Sequence, residues 1–144
     1  MIEQDTIRLL RECDAGVKMG VASIDDVLAY VSNPDLKQNL SSAKNNHITL
    51  KDEIQHLLEQ YHDDGKEPPA MAKGMSWLKT NVKLVLNESD QTIADLMTDG
   101  CNMGVKSLRK YLNEYKAANE ASKDIAKKLI LLEEQLITNI KKFL

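Results

Sequence analysis

Between Pro34 and Gly65, apolar side chains return every three or four residues. Leu36, Leu40, Ala43, His47, Leu50, Ile54, Leu57 and Tyr61 alternate spacings of four and three. With 3.6 residues per turn, that alternation draws one stripe along a helix, the seam by which it joins a bundle. Three more stretches follow the same logic. Residues 5–31 present Leu10, Cys13, Val17, Val21, Ile24, Leu28 and Val31. Residues 89–115 present Ile93, Met97, Gly104, Leu108, Tyr111 and Tyr115. From Ser122 to the C-terminus come Ile125, Leu129, Leu132, Leu136 and Phe143. The pattern predicts four long amphipathic helices and no strands.

Local chemistry marks the ends of these helices. In Asn33-Pro34-Asp35, Asn33 reads as the cap and Pro34 falls in the first turn, where its missing N–H costs nothing. Asp63-Asp64-Gly65 predicts a helix end, with Gly65 as the left-handed terminator. Asn87-Glu88-Ser89-Asp90 is a capping cluster that opens the third helix. Lys116-Ala117-Ala118-Asn119 holds no strong breaker, so Ser122 is taken as the start of the fourth. The stretch 65–88 is too long for a simple turn. Met71, Met75, Leu78, Val82 and Leu86 lie there at helical spacing, which predicts a short amphipathic crossover helix containing Trp77.

The two halves of the chain repeat. Gly16-Val17-Lys18-Met19-Gly20-Val21-Ala22-Ser23 matches Gly100-Cys101-Asn102-Met103-Gly104-Val105-Lys106-Ser107, with five identities at an offset of 84. The seams of the second and fourth helices superpose at an offset of 82: Leu40 on Ser122, Ala43 on Ile125, His47 on Leu129, Leu50 on Leu132, Ile54 on Leu136. A period this long implies two copies of one helical hairpin. Each interior glycine costs about 1 kcal/mol against alanine, so the glycine pairs four residues apart predict a packing role, a close crossing of helix backbones. Two hairpins joined by one long crossover form an antiparallel four-helix bundle with ferritin-like connectivity, a single all-α domain over residues 1–144.

Composition narrows the function. A formal net charge of −3 gives no footprint for nucleic acid or an anionic membrane. No apolar run approaches membrane-spanning length, and the polar start Met1-Ile2-Glu3-Gln4-Asp5 is not a signal peptide, which leads to the expectation of a cytoplasmic protein. Cys13 and Cys101 have no metal-like spacing and read as buried thiols in a reducing compartment.

Beyond the repeated hairpins, three features carry a resemblance: Ser32-Asn33-Pro34-Asp35-Leu36-Lys37, the seam residue His47, and Gly74-Met75-Ser76-Trp77-Leu78-Lys79-Thr80-Asn81. Together they resemble a bacterial family of ferritin-like domains with no assigned function. The Asn-Pro-Asp-Leu turn followed by an inward histidine is also similar to the spore coat F proteins of endospore-forming bacteria. The resemblance implies the bundle fold, with a stress- or spore-related setting.

The ferritin-like fold raises the question of a di-iron centre, which takes an inward Glu from two helices and an inward Glu-x-x-His from each of the other two. Glu53-Ile54-Gln55-His56 is the one such motif, but Glu53 falls roughly 90° and His56 roughly 150° from the seam centre of its helix. Both should be exposed. The fourth helix has no matching histidine, Asp99 points outward, and Asp90 sits at a helix start. One plausible inward carboxylate remains, Asp14, about 60° from the seam of the first helix.

His47 is the exception on the seam. A buried imidazole without a partner loses roughly 1–3 kcal/mol, and Asp14, Tyr111, Tyr115 and Asn139 are the candidates to supply one. The main reading is therefore a non-catalytic interaction or structural protein without a cofactor. The alternative is a reduced site in which His47 and Asp14 hold a small ligand or a metal ion, iron or manganese. A homodimer through the Trp77 segment is the candidate assembly.

Overall fold

The structure, a computed structural model, describes residues 2–68 and 89–144. Among them are four long helices and no strand: α1 (Ile2–Leu28), α2 (Pro34–Glu59), α3 (Asp90–Glu114) and α4 (Glu120–Ile140), followed by a short 3-10 turn, Lys141–Phe143. The crossover helix, its Trp77 and the dimer contact built on it lie outside the described residues.

The helix starts follow their caps. Asn33 accepts from the N–H groups of Asp35 and Leu36, and Ser89 from that of Thr92. Asn119 is the cap that the sequence reading passed over. Its side chain accepts from Ser122 N–H, so α4 begins at Glu120. Asn119 is hard to recognise as a cap in the sequence because Lys116-Ala117-Ala118 before it holds no glycine or proline to mark the break.

The end of α2 departs further from expectation. The helix stops at Glu59, and the chain closes it with two bonds, His62 N–H to the Glu59 carbonyl and Asp63 N–H to the Leu58 carbonyl. This is a Schellman turn. His62, with φ 55°, takes the left-handed position expected for glycine. Gly65, with φ 90°, has a different role: a Cβ on it would meet Asp14 Oδ2 at 2.2 Å, so glycine lets the chain pass over that carboxylate.

Contacts join α1 to α2, α3 and α4, and join α4 to α2 and α3. The ends are tied by backbone donors. Ser32 and Asn33 N–H, in the α1–α2 turn, both reach the Asp90 carboxylate at 2.9 Å. Ala117 and Asn119 N–H, in the α3–α4 turn, reach Asp5 and Thr6 at the start of α1. Asn39 on α2 donates to the Asn139 carbonyl on α4.

Apolar packing divides into two clusters. One gathers Leu10, Cys13, Val17, Leu50, Ile54, Leu108, Ile125 and Leu129 with their neighbours. The other gathers Ile24, Val27, Leu36, Leu40, Ala43, Ile93, Met97, Cys101, Leu136 and Ile140. Each helix crosses from one cluster to the other at a residue that is not apolar. On α1 it is Gly20, between Val17 and Ile24; on α2, His47, between Ala43 and Leu50. On α3 it is Gly104, between Cys101 and Leu108; on α4, Glu133, between Leu129 and Leu136. The core thus consists of two apolar halves separated by a central layer of two glycines and two polar side chains.

Candidate functional site

The central layer is built from opposite extremes of side-chain size. Gly20, which the offset of 84 pairs with Gly104, clears the space that His47 occupies, and Gly104 leaves open space beside Glu133. A Cβ on Gly20 would stand 2.8 Å from His47 Cδ2, and one on Gly104 would stand 3.7 Å from Glu133 Oε2. The neighbours of these glycines are side chains, so they do not serve the close backbone crossing that their spacing suggested.

His47 is buried to 1 % exposure, and both its ring nitrogens are engaged. Nδ1 lies 2.7 Å from the Ala43 carbonyl and Nε2 lies 2.6 Å from Glu133 Oε1. A carbonyl oxygen can only accept, so Nδ1 carries a hydrogen. One further proton then lies between Nε2 and the carboxylate, and the pair is neutral as a unit. Burial disfavours the imidazolium, but the hydrogen bond and charge of Glu133, with the Ala43 carbonyl, outweigh it and raise the His47 pKa above its ordinary value. Below that raised value the pair is an imidazolium bound to a carboxylate. Cys101 joins it from α3. Burial first, and then the charge and hydrogen bond of Glu133, push this thiol up, so it remains protonated as a donor to the carboxylate.

A group whose folded pKa is raised contributes stability that is complete below its unfolded pKa, about 6.5 for histidine, and is lost as pH rises through the folded value. Thermal unfolding midpoints should therefore fall between pH 6 and 8. That window ends before the raised thiols of Cys13 and Cys101 add a loss of the same sign. The double variant His47→Leu/Glu133→Leu should lack the slope, and a wild type with a flat profile across this window would refute the imidazolium assignment.

Of the partners considered for His47 from the sequence, none is the one found. Asp14 is fully buried, but its oxygens accept from Lys18 Nζ at 2.8 Å, Gln55 Nε2 at 2.9 Å and Lys66 N–H at 3.0 Å. This carboxylate fastens the segment after α2 to α1. Gln55 lies two helical turns beyond His47, about 12 Å along α2, and the two sites share no partner. Tyr111 and Tyr115 stack on each other, half-buried, with ring centroids 6.2 Å apart. Asn139 is exposed.

Glu133 is the residue that sequence reasoning missed. An apolar stripe through Ile125, Leu129, Leu132 and Leu136 leaves Glu133 off the seam. Ser122, Ala126, Leu129, Glu133, Leu136 and Ile140 are all buried and alternate four-three without a break. That alternation is present in the sequence, but a stripe of apolar residues passes over Glu133 because it is charged.

The di-iron set can now be tested against side chains. Glu53 and His56 are exposed, as their angular positions predicted; Glu53 pairs with Lys128 at 3.0 Å, and His56 has a side-chain exposure of 88 %. Asp99 is exposed and Asp90 is used by the α1–α2 turn. Among the described residues, no three His, Cys, Asp or Glu side chains converge as metal ligands. Among the described residues the buried carboxylates, Asp14 and Glu133, belong to different levels of the bundle, so these residues do not fit a di-iron centre.

Beside the layer, between α1 and α3, lies a cavity of about 300 Å³. Its described walls include Ala15, Gly16, Met19 and Gly20 from α1, and Met97, Gly100, Cys101, Met103 and Gly104 from α3. Leu129 and Glu133 line it from α4, and Glu12, Lys66 and Tyr111 form a polar end. The repeated Gly-x-x-Met-Gly strings supply both walls, because glycine leaves room and methionine adapts its shape. Among the described residues, no helix is long and apolar enough to cross a membrane. Comparison with known protein families, with characterised proteins and with solved structures finds no match to this chain.

Proposed function

We propose that the chain is a non-catalytic binding protein: one antiparallel bundle of the ferritin-like kind, without a complete di-iron centre, that holds a small, largely apolar molecule between α1 and α3. The cavity carries this reading. Its volume, about 300 Å³, is at the small end of ligand pockets, and it combines mostly apolar walls with a few polar groups, Glu133 beside the layer and Glu12, Lys66 and Tyr111 at one end, as such pockets do. The end contacts support the architecture. The α1–α2 turn meets the start of α3, and the α3–α4 turn meets the start of α1. These ties suit neighbouring helices that alternate in direction, with α2 and α3 parallel and joined by a long crossover. A non-catalytic role fits the chemistry of the layer, since both nitrogens of His47 are occupied and the thiols of Cys13 and Cys101 are held protonated. A stress- or spore-related setting rests on the resemblance of the sequence motifs.

A second reading keeps the metal alternative, iron or manganese, with a changed ligand set. The imidazole of His47 and the carboxylate of Glu133 form a nitrogen–oxygen pair of the type first-row metals take, and Asp14 has no part in it. Two measurements separate the readings. Titration with 4-propylphenol should shift the methyl resonances of Met19, Met97 and Met103 saturably, and no shift would remove the binding reading. Elemental analysis of protein purified without chelator should find no stoichiometric metal. Iron or manganese near one per chain, lost in His47→Leu, would favour the second reading instead.

A further inference from the structure

The cavity's polar floor restricts what can occupy it, if the binding reading above holds. Glu133 is only 8 % exposed and is the acidic group of the central layer. Its Oε1 is taken by His47. Its Oε2 faces the space that the missing side chain of Gly104 leaves open, 3.7 Å from where a Cβ would stand. A carboxylate oxygen has two lone pairs, and the Cys101 thiol can use only one on this carboxylate. An acceptor site is therefore presented toward the cavity, amid mostly apolar walls whose other polar groups are the hydroxyls of Ser23 and Ser107 and the Glu12, Lys66 and Tyr111 end.

The charge of the layer decides which donor suits that oxygen. The imidazolium and carboxylate cancel each other. An ammonium ion seated on Oε2 would leave one positive charge uncompensated in an apolar site, which costs several kcal/mol. It could escape that cost only by driving the proton off Nε2 of His47. A neutral hydroxyl or N–H donor gains a charge-assisted hydrogen bond and adds no charge. A hydrocarbon gains burial alone and leaves the oxygen unpaired.

We propose that the cavity takes a neutral, mostly apolar molecule with a single hydroxyl or N–H donor, seated on the Glu133 oxygen that faces Gly104. Glu133 and Gly104 set the polar contact, and Met19, Met97 and Met103 wrap the apolar body. The natural ligand belongs to the class of hydrophobic alcohols, phenols or small N–H heterocycles.

Calorimetric titration of the full chain at pH 7 with 4-propylphenol, propylbenzene and 4-propylbenzylamine tests this. The three probes share one apolar body and carry a neutral donor, no polar group and a cation. The phenol should bind about tenfold or more tighter than propylbenzene, as a hydrogen bond to a charged acceptor implies. The amine should bind more weakly than the phenol. Equal binding of phenol and propylbenzene overturns the donor inference and leaves the binding reading standing, as does tightest binding by the amine. No binding by any of the three removes the binding reading itself. Gly104→Leu should fill the cavity and abolish binding, while the His47 ring resonances report an intact layer. Undiminished phenol binding in that variant would place the site elsewhere and overturn the proposal.

Discussion

Glu133→Leu should destabilise the domain by about 3–5 kcal/mol, far more than an ordinary surface substitution on α4. The change removes one partner of a buried charged pair and leaves the imidazole of His47 facing leucine, with Nε2 unsatisfied at 1 % exposure. The loss should be similar for His47→Leu, which strands the carboxylate. This reverses what the repeat alone implies. His47 superposes on Leu129, so leucine looks acceptable at position 47 until Glu133 is seen beside it. The double variant His47→Leu/Glu133→Leu should recover most of the loss, because replacing both partners by apolar groups of similar volume is often neutral or stabilising. Denaturant unfolding of wild type, both single variants and the double variant gives the coupling energy directly. Additive losses, with the double variant worse than either single one, would mean that the two residues act independently and that the layer is not a unit.

Most of the fold was legible in the sequence, because the four stripes depend only on spacing. The part that was not legible has one physical cause. A stripe drawn through apolar residues alone leaves out a buried polar residue, and the central layer is made of glycine, histidine, glycine and glutamate. His47 was found because its neighbours on the seam are strongly apolar. Glu133 is hidden because Leu132 lies beside it and takes its place in an apolar stripe, although Leu132 is only half-buried. Asp14 was correctly turned inward, but its partners include Lys66 from beyond α2, which no helical wheel brings near α1. Gly65 could be recognised as a special position, since its φ of 90° does favour glycine, yet its task concerns Asp14 and not the end of α2. Capping chemistry predicts local geometry, and partners from distant segments require the packed chain.

The repeated glycines, identical in sequence context, should respond in opposite ways to alanine. In a helix interior, Gly→Ala gains about 1 kcal/mol from backbone entropy. At Gly104 nothing opposes that gain, since a new Cβ would find Glu133 Oε2 at 3.7 Å, an ordinary contact. Gly104→Ala should therefore stabilise the domain by up to about 1 kcal/mol. At Gly20 the new Cβ would meet His47 Cδ2 at 2.8 Å and Nε2 at 3.1 Å. The ring cannot step aside cheaply, because the Ala43 carbonyl holds one nitrogen and Glu133 the other. Overpacking of this kind costs about 1–3 kcal/mol, and displacement of the ring would break the pair as well. Gly20→Ala should be destabilising, and it should also lower the pKa of His47 toward its ordinary value as the Glu133 bond lengthens. Unfolding midpoints, with the titration of the His47 ring resonances, read both effects. If Gly20→Ala proved as stabilising as Gly104→Ala, with the His47 titration unchanged, the ring would have room to move and the tight central layer would be wrong. With the losses expected here, one glycine of the repeat serves the histidine and its copy serves the cavity.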